Sequence, residues 1–278
     1  MAVFDGPFRR KVDRSLAHNG EVQPLQIRCD ILIVMHSGDF DLTLSDEVRR
    51  KELDNTVGNW SVHFWEKYPD DCYSFGLWCA DGYHRSSSIG ISNVDIRLVE
   101  RFRTFLQKEF PSSRFRLRIY HPYGMGLDLE SYRHLSETIV SYPMRKSSQA
   151  AMQLYVNSRP LLRLMQDSRQ HVERMDDREQ IVAYFAGRFD GDGSVYADGK
   201  TYCRIAYSSE AEARMDQQLL LKIGITKSSV YHYKQAQEYC LYISKNIASS
   251  FVGMISQYAL TTPEMHASVP VETFPALS

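Results

Sequence analysis

The sequence predicts an α+β protein made of two copies of one unit, helix–strand–strand–helix–strand–strand–helix, behind an N-terminal extension. Three observations predict it. Two mostly apolar segments, "SFGLWCADG" (74–82) and "YFAGRFDGDG" (184–193), end in Asp-Gly, and their last aspartates, Asp81 and Asp192, stand 111 positions apart. Each is followed by an alternating stretch, "SSSIGIS" (86–92) or "YCRIAYSS" (202–209), and then by an amphipathic helix, 93–110 or 210–225. A chain of 278 residues, 43% apolar and 24% charged, is large enough for two ordinary folded domains. The expected divisions are 1–60 for the extension, 61–175 for the first unit and 176–278 for the second.

Local signals place the elements. In the helix at 93–110, Leu98, Val99, Phe102, Phe105 and Leu106 recur at helical spacing; at 210–225, Met215, Leu219, Leu220 and Ile223 do the same. Ser92-x-x-Asp95 resembles a capping box and Ser209-x-x-Glu212 fits one, a hydroxyl accepting from a free backbone N–H while the acid reaches back. Gly224 closes the second helix, where a C-terminal glycine belongs. Strands follow at 114–121 and 152–158, then a short helix at 159–166 with Pro160 in its first turn. The second unit continues with strands at 228–234 and 238–244 and a helix at 246–258. About 30 extra residues (122–151) interrupt the first unit, with a helical pattern at 127–140. In the extension, 29–36 reads as a buried strand and 45–55 as a helix, and 261–278 reads as a tail.

Composition removes several classes of function. Apolar runs such as "ILIVM" (31–35) are too short to span a membrane. "FRRKVDR" (8–14) is basic, but Asp5 and Asp13 argue against a transit peptide, so an intracellular, unsecreted protein is expected. Five scattered cysteines form no CxxC pair and no zinc-spaced cluster, which suits reduced thiols. The formal net charge is −1, yet residues 85–121 hold eight Arg or Lys against three acids, a surplus of five. That surplus is either a solvated face or a surface for an anionic partner.

A lone Asp-x-Asp-Gly is ordinarily a turn. A calcium loop starting at Asp190 fails, because Val195 stands where the turn glycine belongs and Thr201 where the bidentate glutamate belongs. Small residues before each Asp-Gly tell more. Gly76 in one segment, and Ala186 with Gly187 in the other, lie in helical stretches where glycine costs roughly 1 kcal/mol relative to alanine. Such residues let two helices approach backbone to backbone, which would bring Asp81 and Asp192 to nearly the same point.

"FGLWCADG" and "FAGRFDGDG" resemble the paired signature motifs of LAGLIDADG homing endonucleases. The repeated order of elements, over roughly residues 70–260, is similar to the single-chain, pseudo-dimeric branch of that family. The resemblance implies two αββαββα halves forming a pseudo-twofold saddle whose antiparallel sheets face DNA. It implies that Asp81 and Asp192 are catalytic and bind metal, helped by the backbone oxygens of Ala80 and Gly191. Two or three Mg²⁺ ions between the carboxylates would serve two-metal phosphodiester hydrolysis, giving a staggered double-strand break in a long asymmetric target. Asp190 would be the earlier, non-catalytic acid of its motif. Ser74, Phe75, Cys79 and Arg188 depart from the usual pattern, Cys79 standing where an acid often does.

The strands then supply candidate contacts. Arg114, Arg116 and Arg118, spaced by two, point to one side of a strand. In the second half Tyr202, Arg204 and Ser208 share a face, as do His232 and Lys234. Singly, each suits a solvated strand face; in a fold resembling this family they would line the DNA-binding surface, with Arg85 just after the first motif. The family's basic active-site helper maps weakly to Lys245 or Lys146. The expected partner is double-stranded DNA, with host intron RNA as a further one, no membrane, and a monomeric state. The alternatives on the same scaffold are an intron RNA maturase and a non-cleaving DNA-binding regulator.

Overall fold

The computed structural model describes residues 68–85, 87–196, 202–234 and 236–261. The expectations for 29–36, 45–55 and the tail beyond 261 lie outside the described residues.

The first unit opens with α1 (Pro69–Asp81), whose buried residues run from Asp71 to Cys79 on all sides. Strands β1 (Gly82–Arg85) and β2 (Ser88–Asn93) form a hairpin, followed by α2 (Ile96–Gln107). Next come β3 (Arg116–Pro122), β4 (Thr138–Met144), β5 (Ala151–Asn157) and α3 (Arg159–Gln170). The second unit repeats the plan with α4 (Arg178–Asp192), β6 (Gly193–Tyr196), β7 (Tyr202–Tyr207) and α5 (Glu210–Lys222). It ends with β8 (Ser228–Tyr233), β9 (Glu238–Ile243) and α6 (Lys245–Ile255). The fold is α+β, as the sequence predicts.

The first sheet has the order β1-β2-β5-β3-β4 and the second β6-β7-β9-β8. The difference is β4, which runs parallel to β3 and antiparallel to nothing. It corrects the helix expected at 127–140: that stretch holds a single 3-10 turn, Glu130–Tyr132, and then enters β4. Its apolar spacing is real, since Leu135 is buried and Leu127, Leu129, Tyr132 and Ile139 pack against the core. A loop laid along the core satisfies that spacing as well as a helix, and pairing with β3 satisfies its backbone.

Both capping expectations are corrected too. Asp95, not Ser92, caps α2 by accepting from the Arg97 N–H at 2.9 Å. Ser209 holds the N-cap position of α5 without a side-chain cap bond, and Glu212 turns away to pair with Arg169 of α3. Gly224 behaves as expected: at φ +88° it ends α5, and the Ile225 N–H returns to the Leu220 carbonyl at 2.8 Å.

α1 and α4 pack directly against each other. A Cβ on Gly76 would stand 2.0 Å from the Tyr184 carbonyl oxygen, and one on Gly187 2.0 Å from that of Tyr73. Each pair, 73 with 184 and 76 with 187, differs by the 111 positions that separate Asp81 from Asp192. The packing is therefore reciprocal, with a pseudo-twofold axis between the helices. One apolar core continues through both units, covering the inner side of each sheet. Among the described residues, no helix is long and apolar enough to cross a membrane.

Candidate functional site

Asp81 and Asp192 are the last residues of α1 and α4. Backbone packing farther up the helices decides where those ends fall. A Cβ on Gly191 would lie 2.4 Å from the Ala80 Cβ and 3.0 Å from Asp81 Oδ2, so the two motif ends touch. Burial, together with the charge of Asp192, pushes the Asp81 carboxyl up to about 7 from an ordinary 3.8. The Asn93 side-chain amide opposes this by donating to Asp81 Oδ2 at 2.6 Å, and so does the positive charge of Arg188.

Asn93 is a site residue the sequence does not advertise. It ends β2 two residues beyond Ile91, the register partner of Gly82. The β1–β2 hairpin is thus the device that returns an amide to the motif aspartate. Only the register could have revealed it.

The departures in the two motifs explain each other. Asp190, in α4, accepts from the Tyr73 hydroxyl at 2.7 Å, from the Leu260 and Thr261 N–H groups at 2.7 and 3.0 Å, and from the Thr261 hydroxyl at 2.7 Å. It holds the chain that leaves α6. Its counterpart by the 111-residue offset is Cys79, which cannot accept in that way, and Tyr184, the counterpart of Tyr73, turns elsewhere. Tyr184 and Tyr207 donate to Asp216 of α5 at 3.0 and 2.7 Å. Arg188 completes the cluster, its Nε 3.5 Å from Asp216 Oδ2 and its guanidinium 4.3 Å above the Tyr207 ring. Burial pushes the Asp216 carboxyl up, opposed by Arg188 and the two hydroxyls. In the first unit Leu77 stands 111 positions before Arg188, and Phe102 is seven positions after the N-cap of α2, as Asp216 is after that of α5; both are fully buried. A buried charged pair in one half replaces an apolar pair in the other.

Of the strand candidates, Arg116 and Arg118 share the outer side of β3 while Leu117 and Ile119 point inward. Arg118 lies 4.9 Å over the Tyr155 ring and 3.4 Å from the Tyr83 hydroxyl. Arg116 donates to the carbonyls of Ser113 and Phe115. Arg114 is not on the strand. It sits in the 3-10 turn Ser112–Arg114 and donates to the Asn157 carbonyl at 2.7 Å. Arg85 is exposed at the end of β1, and its register partner Ser88 is in turn paired with Asn157.

On the second sheet, Tyr202 and Arg204 share a side, with the Arg204 guanidinium 4.9 Å over the Tyr202 ring. Ser208 follows β7 and is exposed. His232 is on the other side. It pairs in register with Tyr239, which pairs with Tyr207, and its ring stacks on Tyr239 at 4.5 Å. The residues that share the Arg204 side are Tyr231, Tyr233 and Tyr242, with Tyr233 5.8 Å below the guanidinium. The alternation of β8 is legible in sequence, but its phase is fixed by the register with β9, His232 opposite Tyr239 and Tyr233 opposite Glu238. Lys234 follows β8 and is exposed. Lys245 is the first residue of α6 rather than the end of a strand, and Lys146 is exposed in the turn between β4 and β5; neither is bonded to either motif aspartate.

Residues 179–256 match the family model described as a LAGLIDADG-like domain. Solved structures similar to the chain include I-DmoI in complex with DNA and Mn, at 14% identity and a TM-score of 0.47, over 69% of this chain and 98% of that one. The N-terminal LAGLIDADG domain of DUF199/WhiA is similar at 14% identity and a TM-score of 0.45, over 74% and 90%. Full-length DUF199/WhiA from Thermatoga maritima is similar at 13% and 0.43, over 74% and 60%. No curated protein matches the chain in sequence.

Proposed function

We propose that the chain is a metal-dependent, site-specific DNA endonuclease of the homing type, working as an intracellular monomer whose halves, 61–175 and 176–278, each supply one catalytic acid. The observation that carries this reading is the meeting of Asp81 and Asp192 at the ends of two helices packed backbone to backbone. Two carboxylates held together at this cost, one of them pushed up to about 7 by burial and its neighbour, form a site that a divalent cation relieves.

The donors suit a hard cation such as Mg²⁺: two carboxylates, with the carbonyl oxygens of Ala80 and Gly191 beside them. Among the described residues no group of three or more His, Cys, Asp or Glu could hold a metal ion, so water would have to complete the shell, which Mg²⁺ tolerates. When bound, such ions supply an activated water and charge neutralisation at the leaving oxygen. The chain's own part is positional. Asn93 orients the Asp81 carboxylate, and the close helix packing fixes the separation of the acids. Arg116, Arg118 and Arg204, each set against tyrosine or backbone carbonyls on an outer sheet side, offer guanidinium groups to phosphates and base edges. Arg85, Arg114, Tyr202 and Ser208 extend that surface.

The test is Mg²⁺-dependent cleavage of a plasmid library of candidate sites. The wild type should linearise its target, while Asp81→Asn and Asp192→Asn should lose double-strand cleavage and keep duplex binding. Undiminished cutting by either variant would sink the assignment. Salt-sensitive binding by a wild type that never cuts would favour the non-cleaving regulator instead.

A further inference from the structure

Where the β1–β2 hairpin meets the start of α3, a pocket of about 330 Å³ is lined by His84, Arg85, Arg159, Leu162, Arg163 and Gln166. Among the described residues no carboxylate lines it. Several other surface guanidinium groups are matched by acids, as in Arg97 with Asp95, Arg101 with Asp70, Arg133 with Glu130 and Arg214 with Glu210. The side chains of Arg85, Arg159 and Arg163 have no hydrogen bond or ion pair among the described residues. Three unmatched cations converging on one hollow repel each other, a cost that an anion between them removes.

The pocket is built rather than incidental. Its two walls are tied by the Ser158 N–H, which donates to the Ser87 carbonyl at 2.8 Å, and Ser158 also caps α3 by accepting from the Leu161 N–H at 3.3 Å. Arg159, Arg163 and Gln166 follow one another at i, i+4 and i+7, so one helix side presents all three. Buried Leu162 fixes the turn between them. On the hairpin wall, Arg85 lies in the row Arg85–Ser88–Asn157, and the Asn157 carbonyl accepts from Arg114. The pocket is therefore continuous with the outer side of the first sheet.

We propose that this pocket seats a phosphate group, with Arg159 and Arg163 gripping from α3 and Arg85 from the hairpin, and that the phosphate is one of the DNA backbone at the rim of the first sheet. The assignment of the source rests on the DNA-binding reading above. Planar guanidinium forks suit tetrahedral phosphate oxygens better than single ammonium groups would.

The experiment uses the full chain and the double variant Arg159→Ala/Arg163→Ala, whose sites are exposed, with matching thermal unfolding as the check on folding. Binding of a fluorescent random-sequence duplex is measured over a potassium chloride series. The variant should bind roughly 10-fold more weakly, with a salt slope shallower by about 1 for each phosphate that no longer meets a guanidinium. Arg159→Lys/Arg163→Lys, which keeps the charge, should retain most of the slope. In a second arm, orthophosphate at matched ionic strength should raise the melting temperature of the wild type more than that of the alanine variant. Equal slopes overturn the DNA-backbone seat, and an equal response to orthophosphate overturns the anion site. A wild type that ignores duplex DNA but keeps the orthophosphate difference overturns the DNA reading and leaves the pocket as a site for free phosphate.

Discussion

Asn93 donates its side-chain amide to Asp81 Oδ2 at 2.6 Å, while its Oδ1 accepts from the Asp95 N–H at 2.7 Å. One amide thus ties the candidate acid to the first turn of α2. Hydrogen bonds to charged acceptors are worth about 1.5–3 kcal/mol, so Asn93→Ala should raise the Asp81 titration midpoint by about 1–2 pH units. Carboxyl carbon chemical shifts followed against pH would read this directly. An unmoved midpoint would reduce Asn93 to a helix cap.

Asp81 also makes metal-free stability depend on pH. The unfolded chain releases this proton near 3.8 and the folded one near 7, so between those values the folded state binds more protons. Stability from this group therefore falls as pH rises from about 4 to about 7 and then levels off. Because the shift comes mainly from burial and the side chain keeps some exposure, the loss should be on the order of 1–2 kcal/mol rather than the full value of the shift. Asp81→Asn should unfold at a higher temperature than the wild type at pH 8, and the gap should close near pH 4. Added Mg²⁺ should stabilise the wild type at pH 8 and not the variant.

The helix packing predicts opposite signs for two glycine substitutions. At Gly187 a new Cβ would meet the Tyr73 carbonyl oxygen at 2.0 Å and the Leu77 nitrogen at 2.6 Å, both backbone atoms that move only if the helices part. Gly187→Ala should cost about 2 kcal/mol or more in urea unfolding. Gly253, in α6, has nothing within 4 Å of its Cβ position, and Gly253→Ala should add up to about 1 kcal/mol.

Arg188 and Asp216 should behave as a unit. Removing one buried partner strands the other, so Arg188→Met should cost about 3–5 kcal/mol. Adding Asp216→Asn, which removes the stranded charge while keeping an acceptor for the Tyr184 and Tyr207 hydroxyls, should recover much of that loss. A double-mutant cycle with coupling below about 0.5 kcal/mol would contradict the arrangement.

Much of this molecule is legible locally. The repeated Asp-Gly motifs, the apolar spacing of α2 and α5, Pro160 at the start of α3 and Gly224 at the end of α5 act over a few residues, and they are where the sequence predicts them. Glycines inside two helices announced a close approach for the same reason: nothing else explains their local cost. The rest was decided by partners far away in the chain. The helical spacing at 127–140 became loop and edge strand because β3 offered a ladder to pair with. His232 lies on the side away from Arg204 because the long-range register with β9 sets the phase of β8. Arg188 is tolerable in the core only because Asp216 arrives from α5, and Asn93 reaches Asp81 only through the hairpin register. By itself the sequence determined helical periods, the Pro160 start, the Gly224 stop and the positions of the two acids, which depend on near neighbours. Only the tertiary structure decided which side each strand presents and which buried charges are matched, because those depend on long-range register and desolvation.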